Sequence, residues 1–505
     1  MFYTNDIIGV SQRKDTPIMI LLNKEFLRDK IHACFIGKNI GGTIGTPFEG
    51  KIGPLDVKGF NSAPGEPLPN DDLDLQLIWL CAIEQNGARM LTPTILGEYW
   101  LDAIPPHWNE YGICKANLRN GLLPPLSGYF NNERWRDSNG AWIRSEIWAC
   151  LCPGLPNVAM KYALMDAMND HGKGEGTVAE MFTAAMQSLA FFENDIFALL
   201  EKALEYIPEE SRISRCVRLV MREYKAGTSW LECREKILEE TSDMTTFQAP
   251  ANVAYAVLGL LYGEGDFKKS VLLATNCGDD TDCTAATVGA TMGIMGGTAA
   301  IPEDWRAYIG DRILTVAIDG SFWYQPKSCT ELTERILVQL PGMFVSNGYE
   351  MEYTSSENVI DTAYPKWYSD NEYNAYDYRR FFERYNDSSP YSNEFIRGSH
   401  EAYLVDYMKE PYIRPMGEFR LKITIYNHRR HPLSSKINLL LPDGWTAEYP
   451  KNIFVGHKSS EMIPKTEFEV VLHAPEKVDA VNQLAIIFTS SSYPAPYSIP
   501  ITLLG

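Results

Sequence analysis

The residues best suited to chemistry are two runs of aspartate. The first, Pro69-Asn70-Asp71-Asp72-Leu73-Asp74, immediately precedes the mostly apolar run Leu75 to Leu80, so it falls where a helix should begin. Adjacent carboxylates at a helix start point in neighbouring directions and can bridge or share hard cations; they can equally cap the helix and complement its dipole. Both readings stand on this run alone. The second, Gly278-Asp279-Asp280-Thr281-Asp282-Cys283, leads into the small-residue stretch Thr284 to Gly297. Residues two apart on a helix diverge by about 200°, so Asp280 and Asp282 converge only in a turn before the helix. Three carboxylates in four residues repel one another, and a bound cation is the usual way such crowding is tolerated. An exposed acidic turn is the alternative.

A glycine-rich segment from Gly37 to Gly50 is the third signal. Gly41, Gly42 and Gly45 permit close approach of a second helix or of a ligand, and Glu49 follows where the helix must end. Gly289, Gly293 and Gly296 invite the helix-packing reading in the late helix. Arg144, within Ala141-Trp142-Ile143-Arg144-Ser145-Glu146-Ile147-Trp148, is suited to a phosphate or carboxylate ligand, or to an ion pair with Glu146. His171, in Asp170-His171-Gly172 ahead of a helix beginning near Val178, is suited either to touching substrate or to capping and packing. Asp74 and Asp279 add a carboxylate to each run. We read Asp279 as solvated charge, and Asp74 as either an extra acid or base or solvated charge.

Such groups need a scaffold that joins distant parts of the chain. From about Lys24 to Met343, apolar residues recur at three- and four-residue spacing, as in Phe26 to Ile36, Val178 to Phe192, Asp195 to Tyr206 and Cys216 to Tyr224. That period predicts amphipathic helices packed into an all-α domain over residues 1–345. Between Asn347 and Arg397 the texture turns to Tyr, Asn, Asp and Ser without a sustained period, which predicts an irregular linker or excursion over 346–400. Beyond it, Phe419 to Tyr426, Lys436 to Leu441, Glu467 to Leu472 and Gln483 to Thr489 are strand-like runs parted by turn signals such as Pro442-Asp443-Gly444. They predict a small all-β sandwich over 401–505.

The 505 residues are long enough for a large catalytic unit with an accessory domain. A net charge of −19 argues against a surface that tracks phosphates, so neither nucleic acid nor an anionic membrane is an expected partner. A small anion can still be held locally by backbone N–H groups. No run approaches the roughly 20 apolar residues of a membrane span, and residues 1–24 lack an export signal's apolar core and cleavage site. Ten cysteines without a C-x-x-C pair suggest buried thiols in a reducing compartment, and cytoplasm is the expected location.

Taken in order, these segments resemble the ADP-ribosylglycohydrolase family across residues 25 to 340. The resemblance rests on Gly45-Thr46-Pro47-Phe48-Glu49 after the glycine-rich helix, on Asn70-Asp71-Asp72 in the place of a Ser/Thr-Asp-Asp motif, and on Gly278-Asp279-Asp280-Thr281-Asp282-Cys283. Ile301-Pro302-Glu303-Asp304-Trp305 completes it. It implies an all-α bundle whose cleft holds two Mg²⁺ or Mn²⁺ ions, with Asp71, Asp72, Asp280 and Asp282 as ligands and Asn70 and Cys283 where hydroxyl ligands are usual. It also implies that Glu49, Asp72 and Asp280 are catalytic, and that Gly45, Asp74, Arg144 and His171 contact substrate.

Two departures matter. Asn can replace a hydroxyl as a neutral oxygen ligand, whereas a thiol is a poor partner for Mg²⁺, so one metal position is expected to be weakened, taken by a softer ion or lost. Gly42 stands where many relatives carry Asp. The implied activity is metal-dependent hydrolysis of a glycosidic bond to ADP-ribose or a related ribosyl compound, small or protein-linked. The departures and the sandwich raise two alternatives: a glycoside hydrolase acting on a non-nucleotide carbohydrate, and a catalytically silent protein that binds ADP-ribose or metal.

Overall fold

The computed structural model describes residues 19–360, 378–398, 400–458, 462–490 and 492–505. It is a helical domain followed by a β-sandwich. The Lys24–Gly45 helix starts at Asn23, whose side chain accepts from the N–H groups of Glu25 and Phe26 and so satisfies two donors that a helix start leaves open. Its centre packs along the Thr281–Gly296 helix at backbone contact. A Cβ on Gly41 would lie 2.1 Å from the Ala285 carbonyl oxygen, and one on Gly45 would lie 2.3 Å from the Asp282 Cα. The glycines are therefore the means by which two helices touch without side chains between them.

That contact sets the site. Because the early helix ends against the start of the late one, the residues after Gly45 must leave directly over the second aspartate run. A one-turn 3-10 helix at Thr46–Phe48 turns the chain. Lys51 and Ile52 then pair antiparallel with Asp279 and Gly278, and the Gly50 N–H bonds the Asp279 carbonyl at 2.8 Å. Glu49 is thus pinned above Asp280 and Asp282.

The other expected helices are present at Glu175–Leu189, Ile196–Leu204 and Arg212–Lys225. Their apolar faces join one large core in which Trp79, Trp100, Trp142 and Trp148 are fully buried. Among the described residues no helix is long and apolar enough to cross a membrane.

The span 346–400, expected to be irregular, carries three elements. Glu350–Thr354 pairs in parallel with Met19–Asn23 at the domain's edge. The Tyr378–Asp387 helix buries Phe381 in the helical core. Ser392–Arg397 is already the edge strand of the sandwich. These pieces are short and polar on one side, so no sustained period marks them; residues 361–377 of this span lie outside those described.

The sandwich packs two antiparallel sheets. One runs Ser392–Arg397, Glu401–Asp406, Glu418–Asn427, Lys465–His473, Thr446–Glu448 in spatial order, and the other Asn452–Val455, Leu433–Leu440, Val481–Ser490, Tyr497–Leu504. Phe419, Leu421, Ile423 and Ile425 of one sheet face Leu484, Ile486 and Phe488 of the other, the two-residue alternation that a half-buried strand requires. Leu122, Leu126 and Phe130 of the helical domain belong to this same core. Burying each stabilises the junction by about 1.5–3 kcal/mol. The Asn393 amide donates to the Leu123 and Pro124 carbonyls at 2.8 and 3.1 Å, and Thr502 Oγ1 donates to the Gly121 carbonyl at 3.1 Å.

Candidate metal centre

Both aspartate runs open onto one cleft of about 320 Å³, between the starts of the Asp71–Asn86 and Thr281–Gly296 helices. Capping of the first helix falls to Asn70, whose Oδ1 accepts the Asp72 N–H at 2.7 Å. The carboxylates of Asp71 and Asp72 are therefore not consumed as caps. Asp71 accepts the Tyr111 hydroxyl at 2.9 Å. Asp72 lies deeper, with one oxygen 3.3 Å from the Cys283 thiol. The other oxygen has no hydrogen bond.

At the second helix, Asp280 sits in the turn and Asp282 in the first helical turn. Their convergence needs only Asp280 to be non-helical. The turn is held by side-chain amides: Asn252 Oδ1 accepts the Asp280 N–H at 3.2 Å, and Asn139 Nδ2 donates to Asp280 at 2.6 Å. Trp142 fixes Asn139 in turn, its indole N–H donating to Oδ1 at 2.9 Å. Asp279 was expected to be solvated charge. Instead it adopts φ +65° and accepts from the Phe247 N–H and the Asn252 amide at 2.9 and 3.1 Å, which shapes the turn. Phe247 and Asn109, both on the cleft wall, also have positive φ.

One oxygen each of Glu49, Asp280 and Asp282 lie within 4.8 Å of one another. Asp280 Oδ1 and Asp282 Oδ1 are buried with no hydrogen-bond partner. Orphaned carboxylate oxygens are expensive in a folded protein, and three hard donors around one point suit a hard divalent ion. The residues at this end fit a metal. A second trio, Asp72, Asp282 and Cys283, also falls within 4.8 Å, but with a thiol in the set. Asn70 contributes no free oxygen there: its Oδ1 caps the helix while its Nδ2 donates to Asp282 at 3.2 Å.

Burial dominates the electrostatics. The Glu49 carboxyl is pushed up to about 7 by burial, then by the charges of Asp282 and Asp71, although its outer face is exposed at the cleft rim. Asp71 rises to about 6, again through burial and then Asp282, with the Tyr111 hydroxyl opposing. Burial lifts Asp72 and Asp280 well above the carboxylate range. A cation supplied to such a site would favour its ionised form.

Four expected substrate contacts do not reach the cleft. Gly45 faces the late helix, and its carbonyl accepts from Thr281 Oγ1 at 2.8 Å. Asp74 is fully buried and accepts the Val316 and Ala317 N–H groups at 2.6 Å, holding the loop whose Val316 lines the cleft. Arg144 does not pair with Glu146. Its guanidinium holds Asp166 at 2.9 Å and Asp170 at 2.8 Å and donates to the Gly140 carbonyl, so it braces the wall from behind. His171 is buried against Asp170 at 3.0 Å and Ser138 at 3.2 Å.

Sequence reasoning missed Lys38, Glu110, Tyr111 and Asn139. Glu110 is a buried carboxyl on the cleft wall, raised to about 7 by burial while the His171 charge opposes. It and Tyr111 sit in the first turn of the Asn109–Arg119 helix. The approach to that helix is fixed by Lys115, whose ammonium donates to the carbonyls of Ile104 and Pro105 at 2.7 and 2.9 Å and to that of Pro106.

The family model described as ADP-ribosylglycohydrolase matches residues 23–335, more than half of the chain. The chain belongs to the ADP-ribosylglycohydrolase family. It is 25% identical over 312 residues to the ADP-ribosylarginine hydrolase Tri1 of Serratia proteamaculans, covering 58% of this chain and 78% of that protein. An uncharacterised protein of Archaeoglobus fulgidus is 24% identical over 307 residues, covering 57% of this chain and 93% of its own. A solved structure titled ADP-ribosylglycohydrolase-related protein complex aligns with 64% of this chain and 99% of its own at 20% identity and a TM-score of 0.44. The match to the ADP-ribosylglycohydrolase family ends before the sandwich. Both aspartate runs fall inside it.

Proposed function

We propose that this chain is a divalent-cation-dependent hydrolase that cleaves the glycosidic bond of ADP-ribose or a related ribosyl compound, with Mg²⁺ or Mn²⁺ as its ion. One observation carries the reading: early and late aspartates converge on a cleft where two buried carboxylate oxygens have no partner. Membership of the ADP-ribosylglycohydrolase family and the name of the Serratia relative support the substrate class.

Glu49, Asp280 and Asp282 would hold the ion, with Asp71 beside them. When bound, the ion supplies Lewis-acid polarisation and orientation of substrate hydroxyls and water. The chain's own groups do the rest. Glu49, at the rim, would keep its second carboxylate oxygen free of the ion to accept a proton from the attacking water. The ring of carboxylates favours positive charge developing on the sugar as the bond breaks. Asp72 lies too deep for that work and fixes the floor instead. Trp108, Tyr111 and Phe247 wall the cleft.

A specific observation also favours a non-nucleotide sugar. The cleft lining carries Glu49, Asp71, Glu110, Asp280 and Asp282 together with aromatic rings, and neither Lys nor Arg is among the lining residues. Ten buried free thiols support a reducing, cytoplasmic setting. The test is binding and hydrolysis of ADP-ribosyl substrates and of simple pentosides by metal-loaded protein, wild type and Asp282→Asn. Ion-dependent release of ADP-ribose, absent in the variant, would establish the first reading. Turnover of pentosides without binding of ADP-ribose would establish the second, and turnover of neither would sink both.

A further inference from the structure

Beneath the cleft a lysine is buried beside the Asp72 end of the centre. Lys38, on the Lys24–Gly45 helix, is 1% exposed and donates to the Ile143 carbonyl at 2.6 Å. Its ammonium lies 3.1 Å from Glu146 Oε2 and 3.9 Å from Asp72 Oδ2. We infer that Lys38 takes the charge-balancing place of a second divalent ion, so that the centre loads a single ion, on Glu49, Asp280 and Asp282. The inference rests on the reading that the cleft holds metal.

Three observations carry it. Asp72 and Glu146 are fully buried carboxylates, and a buried charge is tolerated only when paired. Lys38 serves both. Its post is also fixed, because Glu146 is clamped by the side-chain amides of Gln76 and Gln187 at 2.9 and 3.0 Å, so the ammonium cannot swing away without stranding two carboxylates.

The second observation concerns the donors left at this end. Asp72 Oδ1 is occupied by the Cys283 thiol, Asp282 Oδ2 by the Asn70 amide nitrogen, and Asn70 Oδ1 by the helix cap. Asp72 Oδ2 has no hydrogen bond, and its near neighbour is the lysine. A soft thiol, the one open Asp72 oxygen and an Asp282 oxygen that the Glu49 end also needs make a poor shell for a hard ion.

The third is electrostatic. A divalent ion bound to that oxygen would sit about 2.1 Å from it, hence within about 6 Å of the ammonium in a desolvated setting where like charges repel strongly. The Glu49 end differs at each point: its orphaned oxygens face the cleft, and neither Lys nor Arg lines it.

The experiment loads metal-free full-length protein with Mn²⁺ and measures ions per chain by elemental analysis and calorimetric titration, with electron paramagnetic resonance to separate isolated from coupled ions. Wild type should saturate at one ion with an isolated-ion spectrum. Cys283→Ser, which restores an oxygen donor, should stay at one. Adding Lys38→Met and Glu146→Gln to Cys283→Ser, which removes the ammonium with its charge partner, should raise the count to two with a coupled spectrum. Two ions in wild type, or in Cys283→Ser alone, would overturn the inference, as would a folded triple variant that stays at one. If the triple variant does not fold, the counts for wild type and Cys283→Ser decide. Wild type that binds no Mn²⁺ would remove the metal reading itself, an outcome distinct from a count of two.

Discussion

Two buried acidic clusters lie close together in the helical domain, and they have been given opposite electrostatic treatment. Around Arg144, the carboxylates of Asp166 and Asp170 are matched by guanidinium and imidazole, while the Trp148 indole N–H donates to Asp166 and Glu180. Around the cleft, Asp280 and Asp282 are also buried, and each keeps an oxygen with no partner where neither Lys nor Arg lines the wall, whereas the open oxygen of Glu180 in the first cluster lies in the field of Arg144. A chain that neutralises one set with its own cations has the means to neutralise the other. Leaving it open is affordable only if something else supplies the positive charge, so the comparison separates a structural brace from a receptive site. Asp170 itself illustrates the point: burial would raise its carboxyl, but Arg144 and His171 hold it down to about 2.

The largest effect is expected at Asp282, whose carboxylate belongs to both ligand trios. Asp282→Asn should weaken Mn²⁺ binding and turnover by more than about 10²-fold, because changes in groups that merely support metal ligands already cost up to that much. Unchanged binding by calorimetry would mean the cluster is not a metal site. The mirror experiment is Asp170→Ala, which leaves Arg144 to Asp166 alone and takes the carboxylate from His171, and should destabilise the fold by about 3 kcal/mol. Its thermal unfolding midpoint should fall sharply while Mn²⁺ affinity of the folded protein stays within a few-fold. An equal loss of affinity would erase the distinction between the clusters.

A pH series sharpens it further. The carboxyls of Glu49, Asp71 and Glu110 are raised in the folded state, to about 7, 6 and 7. Between their unfolded values near 4 and these folded values the native protein holds more protons than the unfolded chain. Stability of the metal-free protein should therefore fall as pH rises from about 4.5 to about 7. Stabilisation by added Mn²⁺ should grow over the same interval, since the ion competes with those protons. A metal-free midpoint that rises with pH across this window would contradict the assignment. The smallest effect is expected at Asp74, which carries the Val316 loop: Asp74→Asn keeps an acceptor but loses the charge, costing about 1 kcal/mol. Steady-state kinetics should show a higher KM with an unchanged ion count; a changed count would place Asp74 in the metal shell.

The parts of this arrangement that were legible in the sequence are those encoded locally. Helix periods, strand alternation and the crowding of Asp279, Asp280 and Asp282 all announce themselves within a few residues. Glu49 was legible as the residue after a helix end, although its placement depends on the short ladder from Lys51 to Asp279. What stayed hidden depends on partners far apart in the chain. Lys38 reads as an ordinary helical lysine until Gln76, Glu146 and Gln187 close around it and its carboxylate partner. Arg144 and His171 advertise ligand chemistry, yet their partners come from the Pro156–Ala167 helix and the turn after it. Asn139 carries no signal beyond a turn-forming Asn-Gly pair.

The shared core of Leu122, Leu126 and Phe130 makes the sandwich something other than a detachable passenger. These side chains follow the Asn109–Arg119 helix, whose opposite end carries Glu110 and Tyr111 at the cleft. The helix works as a tie rod anchored in the sandwich at one end and in the cleft wall at the other. Shortening the chain after the helical domain would leave the rod's anchor facing water and the wall unbraced. The two parts should accordingly melt in a single calorimetric transition, and inheritance of one without the other would demand a rebuilt surface on the helical side.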